Sequence, residues 1–204
     1  MPSFNDVTKF EQLIANYFGA PYGVATDSCT HAIELSLRHD SVKYMTCPKH
    51  TYLSIPMTLM KLGVEWDWNT QQWDTYYFLS GTRIVDGAVL WEEGSYIPKS
   101  LMCLSFQFRK HLPIGRGGMI LTDDVNAYKS LKAMSYDGRD LSIPWVEQNV
   151  SQIGYHYYMT PESAEFGIKK FYEVKNMIPK NWSYRNYPDL SKMDVFSDVK
   201  KNKK

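Results

Sequence analysis

Cysteine is scarce in this 204-residue chain: Cys29, Cys47 and Cys103 are the only three. That number is odd and too small for a disulfide framework, so a reducing cytoplasm is the expected setting. An excess of one charge is also lacking. With 23 Lys+Arg against 22 Asp+Glu the net charge is +1, which excludes the basic field of a dedicated nucleic-acid binder. No stretch approaches the roughly 18 uninterrupted apolar residues of a membrane span. The opening MPSFNDVTKFEQ has neither a basic region nor an apolar core, so neither membrane attachment nor a secretory signal is expected. Walker-type phosphate loops, nucleophile elbows and the Rossmann glycine fingerprint are all missing. Cys47-Pro48-Lys49-His50 has ligand-like spacing, but no second Cys or His pair completes a tetrahedral site, and no metal is expected. The only biased stretch, Lys200-Lys201-Asn202-Lys203-Lys204, reads as a solvated, frayed end.

What is present is the make-up of an ordinary globular protein, 44% hydrophobic and 22% charged, with aromatics at 15%. Residues 6–18 space Val7, Phe10, Leu13, Ile14 and Tyr17 as one helical face, and Gly19 stops them. A strand at 22–26, a turn at 27–30 and a helix from His31 follow. KYMTCP reads as a strand, a polar turn spans Lys49 to Ser54, and IPMTLMKLG reads as a helix closed by Gly63. Residues 64–82 are Trp-rich and read as irregular, with Trp66, Trp68 and Trp73 either patching the core or forming an interface. Short strands are expected at 83–86 and 101–106. GRGGMILT reads as a glycine turn entering a strand, and helices are expected at 124–135 and 161–177. Alternating strands and helices predict a three-layer α/β/α fold with a mainly parallel sheet.

Polar residues cluster at the ends of the predicted parallel strands, where open α/β sheets bind ligands. Ser28-Cys29-Thr30 is a small hydroxyl-bearing turn before a helix, suited either to a simple cap or to holding a phosphate. Asp86 ends an apolar strand. Ser105-Phe106-Gln107-Phe108-Arg109-Lys110 precedes a glycine turn. A phosphate cup, an acid and a lysine are what pyridoxal phosphate needs: the acid keeps the pyridine nitrogen protonated and the lysine supplies the amine.

With these residues in order, the chain resembles the DegT/DnrJ/EryC1/StrS sugar aminotransferases, which have the type I aspartate-aminotransferase fold. FEQLIANYFGAPYGVATDSCTHAIELSLR looks like the family's opening helix, strand and Ser-Gly-Thr turn, with Cys29 replacing the glycine. CPKHTYLSIPMTLMKLGVEWDW resembles the next strand and helix, IVDGAVLWEEGSY the segment with the pyridine-nitrogen aspartate, and LSFQFRKHLPIGRGGMILTDD the Schiff-base stretch. The resemblance implies pyridoxal 5'-phosphate as cofactor, Lys110 and Asp86 as catalytic residues, and Tyr52 as the aromatic stacked on the ring. It gives Ser28, Cys29, Thr30 and Ser105 to the phosphate. IGYHYYMTPESAEFGIKKF looks like the segment that reaches the neighbouring subunit, which makes His156 a cofactor contact across a homodimer.

Three departures accompany the match. His156 and Tyr158 stand where the family has Asn and Arg, Val89 replaces a polar residue near the cofactor's phenolic oxygen, and a strand–helix unit between Trp68 and Ile84 looks lost. The expected organisation is a reduced cofactor-binding domain over 1–180, then a remnant and basic tail over 181–204 without the family's small C-terminal domain. The resemblance implies transamination of a keto-sugar, nucleotide-linked in the family's manner, with an amino-acid donor; the alternative is a non-catalytic cofactor-binding relative. A dehydratase of this family would carry histidine in place of Lys110.

Overall fold

The computed structural model describes residues 1–200; Lys201-Asn202-Lys203-Lys204, the body of the basic tail, lie outside the described residues. Five helices form where the caps and periodicity direct them. Helix α1 (Phe4–Phe18) ends at Gly19, whose φ of 80° is the left-handed conformation that a glycine adopts without strain. Helix α2 (Cys29–His39) is capped by Ser28, whose hydroxyl accepts from the His31 amide at 3.2 Å. Helices α3 (Ser54–Leu62), α4 (Val125–Ser135) and α5 (Pro161–Val174) follow, the last with Pro161 in its first turn and Thr160 as its cap.

Strands β1 (Tyr22–Thr26), β4 (Tyr77–Phe78), β5 (Ile84–Asp86), β6 (Leu101–Ser105) and β7 (Gly118–Thr122) form one sheet in the order β1-β7-β6-β5-β4. Strands β2 (Tyr44–Pro48) and β3 (Glu65–Asn69) form a parallel pair. The α/β class matches expectation, but the sheet is mixed rather than mainly parallel in its pairing. Only β5·β6 and β2·β3 pair parallel, while β1·β7, β6·β7 and β4·β5 are antiparallel. The reason is connection length. A parallel return needs a crossover, whereas residues 106–117 between β6 and β7 contain no helix and 79–83 make a tight hairpin. Strands β1, β5 and β6 nevertheless run the same way, so their carboxyl ends share one edge.

The expectation of irregular structure over 64–82 is also corrected. EWDWN alternates charge and tryptophan with the period of a strand, and pairs in register with YMTCP. Trp66 and Trp68 pack against the core, and Trp68 meets Phe196 edge-on at 5.6 Å.

Two cores separate on the two faces of the sheet, as strand alternation requires. On one face Met102, Leu104, Met119 and Leu121 pack with Phe10, Ile14 and Phe18 of α1 and Phe171 of α5. On the other, Leu101, Cys103, Ile120 and Ile84 pack with Ile33, Leu35 and Leu37 of α2 and Leu131 of α4. This is the three-layer arrangement. The segment after α5 returns across the molecule: Thr75 donates to the Trp182 carbonyl, Tyr184 to the Trp73 carbonyl and Leu190 to the Lys49 carbonyl, at 2.9–3.0 Å. No helix among the described residues is long and apolar enough to cross a membrane.

Candidate functional site

A cavity of about 760 Å³ opens at the shared edge where β1, β5 and β6 end. Seven of the eight residues singled out from the sequence line it: Ser28, Cys29, Thr30, Tyr52, Asp86, Ser105 and Lys110. The eighth, His156, does not. Its side chain is 69% exposed, and Nδ1 lies 2.9 Å from Asp137, so it contributes nothing to the cavity of its own chain.

The Ser28–Thr30 turn puts the N-terminus of α2 on the cavity, where amides and the helix dipole favour an anion. Gly118 holds this turn against the sheet. A Cβ there would stand 2.6 Å from the Ser28 carbonyl oxygen and closer still to the Cys29 nitrogen. The second glycine of the Gly117-Gly118 pair is therefore a demand of close backbone approach. Thr30 Oγ1 donates to Ser54 Oγ at 2.9 Å, which ties the turn to the start of α3. Ser105 ends β6 opposite Gly118, and brings a further hydroxyl to the same place.

Asp86 is 6% exposed. Its Oδ2 accepts from the Tyr77 hydroxyl at 2.7 Å and its Oδ1 from the Ala88 amide at 3.0 Å. Burial still raises its pKa above the usual aspartate value, against the lowering effects of Tyr77, Ala88 and Lys110. A buried carboxylate of this kind is suited to a cationic partner. Lys110 shows the converse shift: burial lowers its pKa, opposed by Cys29 and Asp86, and so favours the neutral, nucleophilic amine. The Cys29 thiol is pushed well above its ordinary value, first by burial and then by Asp86, so it remains protonated. Tyr52 is 60% exposed at the cavity mouth.

The neighbour His111 faces away. Its Nε2 lies 2.8 Å from the Val174 carbonyl and its ring stacks on Trp91, so Lys110 alone of the two reaches the cavity. Cys47 is buried, and His50 is engaged with the Tyr187 carbonyl at 2.9 Å. Among the described residues no cluster of His, Cys, Asp or Glu is placed to hold a metal ion.

Sequence reasoning missed one wall of this cavity. Trp73, Tyr77, Trp182, Asn186 and Tyr187 line it. The Trp182 ring lies 5.4 Å from Lys110 Nζ. Burial, helped by Asp86 and Cys29, pushes the Tyr187 hydroxyl up to about 12. Trp73 packs in the core as expected but also lines the cavity, and its indole donates to the His50 carbonyl at 2.8 Å.

The sequence matches the model of the DegT/DnrJ/EryC1/StrS aminotransferase family over residues 2–66 and 96–187. Those intervals contain Ser28–Thr30, Tyr52, Ser105, Lys110 and His156; Tyr77 and Asp86 fall in the gap between them. No curated protein matches the chain. Among solved structures, AtS13 from Actinomadura melliaura is similar at 18% identity and a TM-score of 0.71, over 85% of this chain and 61% of that one. DesI, solved in the presence of its TDP-sugar product, is 17% identical with a TM-score of 0.65, over 83% of this chain and 53% of that one. GDP-4-keto-6-deoxymannose-3-dehydratase (ColD) with bound GDP-perosamine is 16% identical with a TM-score of 0.68, over 83% and 61%. The chain thus spans between 53% and 61% of the length of these proteins. The likeness is one of fold, that of type I pyridoxal-phosphate-dependent enzymes.

Proposed function

The chain belongs to the DegT/DnrJ/EryC1/StrS aminotransferase family, and on that premise we propose that it transfers an amino group to a nucleotide-linked keto-sugar from glutamate or a similar donor. The family's cofactor is pyridoxal 5'-phosphate. One observation carries the reading: Ser28–Thr30, Asp86, and the Ser105 to Lys110 stretch, from three separate parts of the chain, line a single cavity. The ligands of DesI and ColD, a TDP-sugar and GDP-perosamine, support a nucleotide sugar as the substrate class.

The donor set fits the cofactor. The α2 amides with Ser28, Thr30 and Ser105 suit a phosphate dianion, and buried Asp86 suits a protonated ring nitrogen. When bound, pyridoxal phosphate supplies an aldehyde and an electron sink for a carbanion. Lys110, whose pKa burial lowers, would offer the cofactor a more readily deprotonated amine and would take and return a proton at Nζ. Asp86 would hold a proton on the ring nitrogen through its negative charge. Tyr52 at the cavity mouth would cover the ring, and Trp182 and Tyr187 would exclude water from the opposite wall. The functional unit is a homodimer in which His156 approaches the neighbour's phosphate; residues 1–180 form most of the cofactor-binding domain, and Trp182, Asn186 and Tyr187 complete its cavity wall.

The test is spectral and chemical. Purified protein is mixed with pyridoxal phosphate, reduced with borohydride and digested; the expected adduct maps to Lys110. An adduct confined to other lysines would overturn the site. Adding glutamate before reduction is expected to convert the cofactor to its pyridoxamine form, and an unchanged spectrum would instead indicate a binding protein without turnover.

A further inference from the structure

Tyr77 and Asp86 are direct cross-strand partners in the β4·β5 ladder. Tyr77 is 3% exposed, and its hydroxyl lies between two buried oxygens, Thr51 Oγ1 and Asp86 Oδ2. A tyrosine hydroxyl has one proton to give. When Asp86 is ionised it can only accept, so Tyr77 must donate to it and Thr51 must donate to Tyr77. The result is an ordered chain, Thr51 to Tyr77 to Asp86, whose end is the carboxylate.

From this arrangement, and resting on the proposed use of pyridoxal phosphate, we infer that Tyr77 is a positioning residue that holds Asp86 as an oriented anion for the ring nitrogen of the cofactor. Three observations carry it. The Tyr77 and Ala88 bonds occupy one carboxylate oxygen each and so fix the plane of the group. Tyr77 is the only side chain that donates to Asp86 among the hydrogen bonds of the described residues. The tyrosine is delivered by the short β4·β5 hairpin, whose ladder sets it directly opposite Asp86.

Burial disfavours the charge on Asp86, and the Tyr77 bond opposes that effect. A hydrogen bond to a charged acceptor is among the stronger ones. Its loss should therefore be felt by a ligand that needs the carboxylate charged, and not by one that does not.

The experiment compares pyridoxal phosphate with its 1-deaza analogue, in which a carbon replaces the ring nitrogen. Dissociation constants are measured by quenching of tryptophan emission in wild type, Tyr77→Phe and Thr51→Val, with circular dichroism to check folding. Wild type is expected to prefer pyridoxal phosphate. Tyr77→Phe should weaken it by about 10- to 100-fold while changing the deaza analogue little, so the preference collapses. Thr51→Val, which loosens the same chain from its far end, should lower the preference in the same direction by less, and provides the readout should Tyr77→Phe not fold. A preference unchanged in both variants, whether both ligands weaken equally or neither does, would reduce Tyr77 to core packing and overturn the inference. Wild type that binds both ligands equally would overturn the pairing of Asp86 with the ring nitrogen. Wild type that binds neither would overturn the cofactor reading itself, and the role of Tyr77 with it.

Discussion

Gly118 of β7 lies against the Ser28–Cys29 peptide so closely that any Cβ would overlap backbone atoms there. Backbone cannot swing aside as a side chain can. Gly118→Ala should therefore displace the turn, cost about 1–3 kcal/mol of stability and abolish binding of phosphate at the α2 N-terminus. Gly117 provides the control. A Cβ there meets chiefly the ends of the Ile114 and Met159 side chains, which can shift. Thermal melts and titration with pyridoxal phosphate should show Gly118→Ala clearly worse than Gly117→Ala in both respects.

Trp182 stands over Lys110, and its removal poses two opposing effects. Losing a cation–π contact at 5.4 Å would lower the lysine pKa, while admitting water would raise it. At that distance the cation–π effect is at the weak end of its range, about 0.5 kcal/mol, and burial is the leading cause of the Lys110 shift. Solvation should win. In wild type the amine becomes neutral below the ordinary lysine range; in Trp182→Ala its midpoint should move back up toward 10.5. The rate of borohydride-trapped adduct formation against pH measures this, and a downward or absent shift would show that Trp182 does not shield the lysine.

The edge of the sheet was legible in the sequence because each contributor carries a local mark: a capping serine before α2, an acid closing an apolar strand, a Ser-Phe lead and a glycine pair around Lys110. The opposite wall was not. Trp182 and Tyr187 are brought to the cavity by backbone bonds of their segment to Trp73, Thr75 and Lys49 and by the His50 ring on the Tyr187 carbonyl, all more than 100 residues away in the chain, and no local period encodes such a return. Strand β4 is only two residues long, too short to show alternation, so Tyr77 could not be recognised as a partner of Asp86. The direction of β7 was missed for a similar reason. It depends on the lack of a crossover between β6 and β7 rather than on the residues of the strand itself.

Asp86→Asn should abolish half-transamination while the protein still folds, because an amide cannot supply the charge that keeps the ring nitrogen protonated; loss of several kcal/mol of carbanion stabilisation is expected. Without cofactor the same substitution has a signature in stability. The folded pKa of Asp86 lies above its unfolded value near 3.8, so the folded state binds more protons between the two values. Wild-type stability relative to Asp86→Asn should then fall as pH rises from about 4 through the raised pKa, and recover on acidification. The groups around it do not reverse this sign. Tyr77, Tyr187, Cys29, Cys47 and Cys103 all have raised pKa values and stay neutral there, and Lys110 stays cationic over an acidic range. Melting temperatures of both proteins from pH 4 to 8 test the direction; a gap that widens in favour of wild type at higher pH would contradict it.

His156 supplies the last prediction. It lies outside its own chain's cavity, with its side chain 69% exposed, its Nδ1 on Asp137 and its ring edge-on to Tyr158 at 4.7 Å. Tyr155 and Tyr157 pack against the core of their own chain and Tyr158 against Phe4 and Tyr136, so the imidazole is the ring of this segment left facing outward. If the proposed homodimer forms, His156 serves the neighbour's phosphate and Lys110 serves its own chain's cavity. Sedimentation at micromolar concentration should then give a dimer, and a monomer that retains cofactor would refute the assembly. Mixing Lys110→Ala with His156→Ala protein tests the sharing. In a mixed dimer one cavity receives both lesions and the other receives neither, so activity should exceed that of either parent. If exchange is verified, by mass or by a fluorescent label, and no activity returns, the two residues do not act across a shared boundary, and His156 has no part in the neighbour's site.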